Sequence, residues 1–203
     1  SLVFRGPEFR DEGSMQALLE LELDYIICVH FPYIVPQDVL EIPRVGVTNL
    51  HPALLPYNRG WHTPTWAILD DTPYGATLHF MSAAVDEGDV ILQEPLAVSP
   101  GDTADDLYRR ALRLEEEVFA AAWPLLVSKD PPRRPQDAGV ATAHRPADLT
   151  DSGIQKIDLS QETTAEDLVR RLRAMTTNNV EEAAYFEVDG KKYRLQLHIT
   201  EES

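Results

Sequence analysis

Cysteine is nearly absent from this 203-residue chain: Cys28 stands alone. That excludes an internal disulfide framework and any Cys-rich zinc site, and it suits a reducing cytosol. Basic charge is scarce as well. Lys and Arg number 18 against 34 Asp and Glu, a net of −16. With no basic surplus to neutralise phosphates, a general nucleic-acid binder is excluded. Apolar runs such as Tyr25–Val29 fall far short of the length that crosses a bilayer. The residues from Ser1 onward carry no signal-peptide pattern. What is there is a composition 43% apolar, enough for one full-sized hydrophobic core. The expectation is an acidic, soluble, cytoplasmic globular protein.

Charge divides the chain unevenly. Residues 1–128 hold 7 basic and 20 acidic side chains, and residues 129–203 hold 11 and 14. Between the two lies Lys129-Asp-Pro-Pro-Arg-Arg-Pro135 and a polar stretch to Asp151, which reads as a linker or long surface loop over 129–151. In the first part, helix and strand signals alternate. A short helix follows Ser14 as its cap. Tyr25–Val29 reads as a strand buried on both faces, and Gly46–Leu50, Tyr74–Phe80 and Val90–Leu96 as further strands. Helices are expected over Thr63–Leu69 and Ala104–Leu126, the latter with Leu107, Ala111, Leu114, Val118, Ala122 and Leu125 on one stripe. Alternation of this kind implies an α/β fold with a mainly parallel sheet. Residues 152–203 form a smaller element. Thr163-x-x-Glu166 fits a capping box for a helix, and Asp189-Gly190 fits a hairpin turn between Tyr185–Val188 and Lys191–His198. A hairpin this small needs a cover, either the first part or a second copy of the chain.

The chemistry-bearing residues concentrate after the second strand, in Asn49-Leu-His-Pro-Ala-Leu-Leu-Pro-Tyr-Asn-Arg-Gly-Trp61. Ligands of α/β sheets bind beyond the carboxyl ends of strands. Asn49 and His51, two apart, project to one side of an extended segment. An amide donor beside an imidazole suits acyl transfer to an amine, the amide holding a developing oxyanion and the histidine handling the proton. A carboxylate to orient that histidine is available in Asp86-Glu-Gly-Asp89. Taken singly, Asn-x-His before Pro is an ordinary strand exit, Asp-x-Gly an ordinary turn, and Pro56–Gly60 a plain surface loop. Their order and spacing change that weighting. The six histidines have no metal-ligand spacing, so no metal is expected.

Asn49-x-His51-Pro-x-Leu-Leu-Pro-x-x-Arg-Gly60, then Gly75-Ala-Thr-Leu-His79 and Val85-Asp-x-Gly88-Asp-Val-Ile91, resembles the N10-formyltetrahydrofolate-dependent formyltransferases over roughly residues 1–128. The resemblance implies a Rossmann-like catalytic domain with Asn49, His51 and Asp86 as its catalytic trio. Phe31, Pro32, Tyr33, Ile34 and Val35, with Ala83, Ala84 and Val85, would hold the pterin, largely through backbone groups. Ala53 stands where the family often has Ser. In the family a further strand and a glycine-containing loop precede the point where these 203 residues begin, so an incomplete N-terminal edge is expected.

Tyr57-Asn-Arg-Gly-Trp61 and the C-terminal helix and hairpin are similar to the amino-sugar N-formyltransferases. This implies a formyl group moved from N10-formyltetrahydrofolate to the 3- or 4-amine of a dTDP-linked deoxy sugar, for surface polysaccharide or O-antigen (lipopolysaccharide) synthesis. Tyr57, Asn58, Arg59, Trp61 and His79 are the candidate substrate contacts: Arg59 can fork to a pyrophosphate and Trp61 can face a sugar or base. A homodimer through the hairpin is expected, with neither nucleic acid nor membrane as partner. Other amines remain open, among them UDP-linked aminoarabinose, glycinamide ribotide and methionyl-tRNA. So do hydrolysis of formyltetrahydrofolate and a non-catalytic folate-binding role.

Overall fold

A computed structural model describes residues 8, 9 and 11–202. Helix α1 (Glu12–Glu20) leads into strand β1 (Tyr25–Val29), then come a short α2 (Gln37–Leu40), β2 (Gly46–His51), β3 (Arg59–Gly60), α3 (Thr63–Leu69), β4 (Tyr74–Phe80), β5 (Val90–Leu96) and the long α4 (Ala104–Val127). The C-terminal part holds β6 (Ala143–His144), α5 (Pro146–Thr150), α6 (Ala165–Ala174), a 3-10 turn at Val180–Glu182 and the hairpin β7 (Ala184–Val188) and β8 (Lys191–Leu195).

The main sheet runs β1-β2-β4-β5. The α/β expectation holds, but a mainly parallel sheet does not. Only β1 and β2 are parallel; β2–β4 and β4–β5 are antiparallel. The connection from β4 to β5 is the short loop 81–89, which can return the chain only in the antiparallel sense, since a parallel return needs a crossover. Strand β1 is also not buried on both faces. Among its residues only Cys28 is buried, and Val29 is exposed. Burial pushes the Cys28 thiol up to about 11, so it stays protonated.

Helix α4 lies on this sheet. Val118, Ala122 and Leu126 pack against Leu50, Ala76, Leu78, Phe80 and Ile91. Its start is fixed by Thr103, whose hydroxyl accepts from the Asp106 N–H while the Asp106 carboxylate accepts from the Thr103 N–H. The N-terminal half of α4 joins a second cluster, in which Leu107 and Ala111 meet Ala67 and Ile68 of α3 and Ala174 of α6. The C-terminal element is thereby seated on the first part.

Three local expectations shift. Helix α1 is capped at Asp11, three residues before the expected Ser14 cap, and Asp11 makes no side-chain cap bond. The α6 cap is Thr164 with Asp167, one residue later than the expected Thr163–Glu166 box; both spacings offer a hydroxyl and a carboxylate, and the helix register selects between them. The 129–151 segment is ordered against the first part. Arg134 bridges Val90, β6 pairs parallel with β3, and Leu149 of α5 is fully buried with Met175 and Ala184. Proline blocks helix there but leaves extended chain free to add to a strand edge.

Candidate active site

Strand β2 delivers the first two functional side chains. In the ladder Asn49 stands between Cys28 of β1 and His79 of β4. Opposed residues share a face, so Asn49, His51 and His79 converge beyond the end of the parallel pair. The third comes from the 81–89 loop, where Asp86 takes a left-handed φ of 52°. The loop is pressed onto β4: a Cβ at Gly88 would lie 1.8 Å from the Phe80 carbonyl oxygen, so only glycine fits.

Asp86 sits between two imidazoles. Its Oδ2 is 3.6 Å from His51 Nδ1 and its Oδ1 is 3.4 Å from His79 Nε2, while Oδ2 also accepts the Gly60 N–H at 2.9 Å. Burial alone would raise the Asp86 pKa. The charges of His51 and His79 and the bonds from His79 and Gly60 outweigh it and hold the carboxyl well below the usual range. It is therefore ionised at neutral pH. Desolvation lowers the His51 pKa, against the opposing pull of Asp86. His51 is thus a neutral base near pH 7. The Asn58 carbonyl, 3.2 Å from His51 Nε2, can only accept, so it keeps a proton on that nitrogen and leaves Nδ1 as the basic position. A proton taken up there meets the Asp86 carboxylate. Asn49 Oδ1 is buried without a hydrogen-bond partner. That oxygen is an acceptor, open to an N–H donor such as an amine.

These side chains line a cavity of about 380 Å³. Phe31–Val35 border it, as do Ala83–Asp86, Trp61 and His79. The first stretch is apolar and backbone-rich, suited to a flat heteroaromatic ring. Tyr108 of α4 and Thr177, Asn178 and Glu182 of the C-terminal element complete it.

Three expected substrate contacts lie elsewhere. Tyr57, Asn58 and Arg59 do not line the cavity. Asn58 is fully buried, its N–H donated to the Thr142 hydroxyl and its side-chain amide to the Thr72 hydroxyl. Arg59 cannot fork to a pyrophosphate: Nε and Nη2 donate to Gln136 Oε1, and Nη1 is 3.1 Å from Glu87. Gln136 in turn donates to the carbonyls of Asp86 and Gly88 at 2.8 and 2.7 Å. It ties the Asp86 loop to Arg59, a role no local motif announces. Gln136→Leu leaves Nε and Nη2 of the buried Arg59 and two carbonyls unmatched. It is expected to cost about 1–3 kcal/mol, hence several degrees of Tm at ~2–4 °C per kcal/mol for this chain length. Thermal unfolding checks it, and an unchanged Tm would refute the tether.

Among the described residues no group of three or more His, Cys, Asp or Glu could hold a metal ion, and no helix is long and apolar enough to cross a membrane. The family model described as formyl transferase matches residues 4–123, and one described as the N-formyltransferase dimerization C-terminal domain matches residues 150–201. A methionyl-tRNA formyltransferase of Alkaliphilus oremlandii is 32% identical over 160 residues, 78% of this chain and 51% of that protein. The chain spans about half the length of the curated relatives it matches. Among solved structures, a 4-N formyltransferase from Francisella tularensis superposes with a TM-score of 0.83 at 26% identity, covering 92% of this chain and 75% of that one. The formyltransferase PseJ from Anoxybacillus kamchatkensis, in complex with UDP-4,6-dideoxy-4-formamido-L-AltNAc and tetrahydrofolate, gives 0.62 at 26% identity, covering 86% and 83%. The Asn49–His51–Asp86 cluster lies within the stretch that the first family model covers, and the chain belongs to the formyl transferase family.

Proposed function

We propose that this protein transfers the formyl group of N10-formyltetrahydrofolate to the amine of a nucleotide-linked amino-deoxy sugar, with a dTDP-linked 3- or 4-amino sugar as first choice. The observation that carries the reading is the Asn49 amide beside a neutral His51 backed by an ionised Asp86, all lining one cavity. The amine attacks the formyl carbon. The oxygen that gains the electron pair is held by the Asn49 amide, whose NH2 donates to it. His51 Nδ1 takes the proton from the adduct's nitrogen and gives it to N10 as the C–N10 bond breaks. The pterin lies against Phe31–Val35 and Ala83–Val85, and Trp61 and His79 remain the candidate acceptor contacts.

The sugar reading draws support from the solved relatives, one of which carries a nucleotide-linked formamido sugar with tetrahydrofolate. Methionyl-tRNA is the rival that the names of the curated relatives favour. Charge weighs against it here: at net −16 the chain offers no basic surplus to neutralise the many phosphates of a tRNA. Incubating the protein and N10-formyltetrahydrofolate with dTDP-3-amino, dTDP-4-amino and UDP-4-amino sugars, and with methionyl-tRNA, tests the assignment by mass spectrometry. One formyl group gained on a sugar supports it. Formylation of methionyl-tRNA alone overturns it.

We also propose a homodimer through the β7–β8 hairpin. Phe186 and Tyr193 stack there with centroids 5.3 Å apart, and Tyr193 is 45% exposed. Tyr193→Glu is expected to turn a dimer into a monomer in sedimentation, whereas a monomeric parent would sink the idea.

A further inference from the structure

Helix α4 carries one residue that its apolar stripe does not explain. Between Ala111 and Val118, where the spacing asks for an apolar side chain, stands Glu115, 3% exposed. A carboxylate so buried needs a partner. It has one in His30, whose Nε2 is 2.7 Å from both carboxylate oxygens. Because a carboxylate only accepts, the Nε2 proton is held there and Nδ1 is left as the basic nitrogen. That nitrogen is 3.4 Å from the Tyr108 hydroxyl, and both His30 and Tyr108 line the cavity. His30 directly follows β1, in a left-handed conformation with φ 47°. Its N–H donates to the carbonyl of Leu50, the residue between Asn49 and His51. An oriented imidazole–carboxylate pair therefore stands at the end of the neighbouring strand, beside the His51 site and separate from the Asp86 cluster.

The proton count of amine formylation requires such a group, and the inference rests on that reading. Aliphatic amines titrate at about 8–10, so the acceptor arrives near neutrality as an ammonium. Its nitrogen must lose two protons, one before the lone pair can attack and one from the adduct. His51, with Nε2 held by Asn58, has a single open nitrogen. We propose that His30, backed by Glu115, takes the first proton from the acceptor's ammonium, leaving His51 free for the second. In that step an N–H bond of the ammonium breaks, its electron pair stays on the amine nitrogen, and an N–H bond forms at His30 Nδ1. His30 then returns the proton to water. The amine pair forms the new C–N bond, the formyl π pair moves to oxygen, and the second proton travels through His51 to N10 as tetrahydrofolate leaves. The sum is ammonium plus formyltetrahydrofolate giving formamide, tetrahydrofolate and one proton.

The surroundings favour this assignment. Among the described residues no Lys or Arg lines the cavity, while Asp86, Asp105 and Glu182 do, a lining that attracts an ammonium. The groups facing His30 are Glu115 and Tyr108 of α4, with Tyr74 of β4 in electrostatic reach of both, and His51 of β2. A charged His30 weakens proton binding at His51.

The test measures formyl transfer to the amino sugar from about pH 6 to about pH 9 for the parent protein, His30→Gln and Glu115→Leu, the last an apolar side chain on an apolar stripe. Binding of 5-formyltetrahydrofolate serves as the control for folding. Both variants are expected to lose about 10²-fold in kcat/KM for the acceptor near neutrality. The deficit should shrink steadily toward about pH 9, where the amine arrives without its extra proton, and folate affinity should hold. A deficit equal at every pH, or no deficit, overturns the inference and leaves the transfer reading standing. A parent protein that formylates no amine at any pH overturns both.

Discussion

Replacing His51 with Asn is expected to lower kcat for formyl transfer by about 10²–10⁴-fold with the affinity for 5-formyltetrahydrofolate nearly unchanged. The ring is buried, its Nε2 is occupied by the Asn58 carbonyl, and its Nδ1 faces the Asp86 carboxylate. Asn keeps a hydrogen-bonding group of smaller volume and so preserves the cavity wall while removing the base. The parent protein also has a defined pH signature. Burial depresses the His51 pKa below the ordinary 6.5, and the working form is the neutral ring. Its contribution is therefore complete at neutral pH and disappears only as pH falls through a value below that of a free histidine. A kcat profile whose acid limb lies clearly above 6.5 would contradict the assignment.

The second large effect belongs to Asp86. Its carboxylate faces two imidazoles and accepts a backbone N–H from Gly60 at once. An amide at this position must turn either its NH2 or its oxygen toward each ring and loses the charge that favours protonated His51. Asp86→Asn is expected to reduce kcat by about 10²–10⁴-fold. It also moves whatever acid limb survives to lower pH, because the Asp86 charge is what raises the His51 pKa against desolvation. A purely structural role would lower kcat and leave the limb in place. Rate profiles of the parent and Asp86→Asn distinguish the two.

Much of this arrangement was legible along the chain. Strands β4 and β5 and helix α3 fall on the expected residues, because β-branched and aromatic runs bounded by turn residues are local signals. So is the pairing of Asn49 with His51, which only alternation on an extended strand requires. What escaped depends on contacts distant in sequence. The direction of β4 against β2 is set by pairing across a connection and leaves no trace in periodicity. Arg59 reads as a phosphate fork until Gln136, 77 residues on, is seen to hold it. Glu115 interrupts the α4 stripe, and a stripe drawn only through apolar residues steps past it to Leu114. The extended 129–151 segment reads as a linker because its partners, Val90 and β3, lie in another part of the chain.

If the Asn49–His51–Asp86 cavity moves a formyl group onto an amine, loss of that group from the folate must be tied to the amine. The most direct test follows release of tetrahydrofolate from N10-formyltetrahydrofolate with and without the amino sugar, in the parent protein and in His51→Asn. Release is expected to depend on the amine, match the formylated sugar mole for mole and nearly vanish in the variant. Release at the same rate without amine, with formate as product, would make the protein a hydrolase and contradict the account.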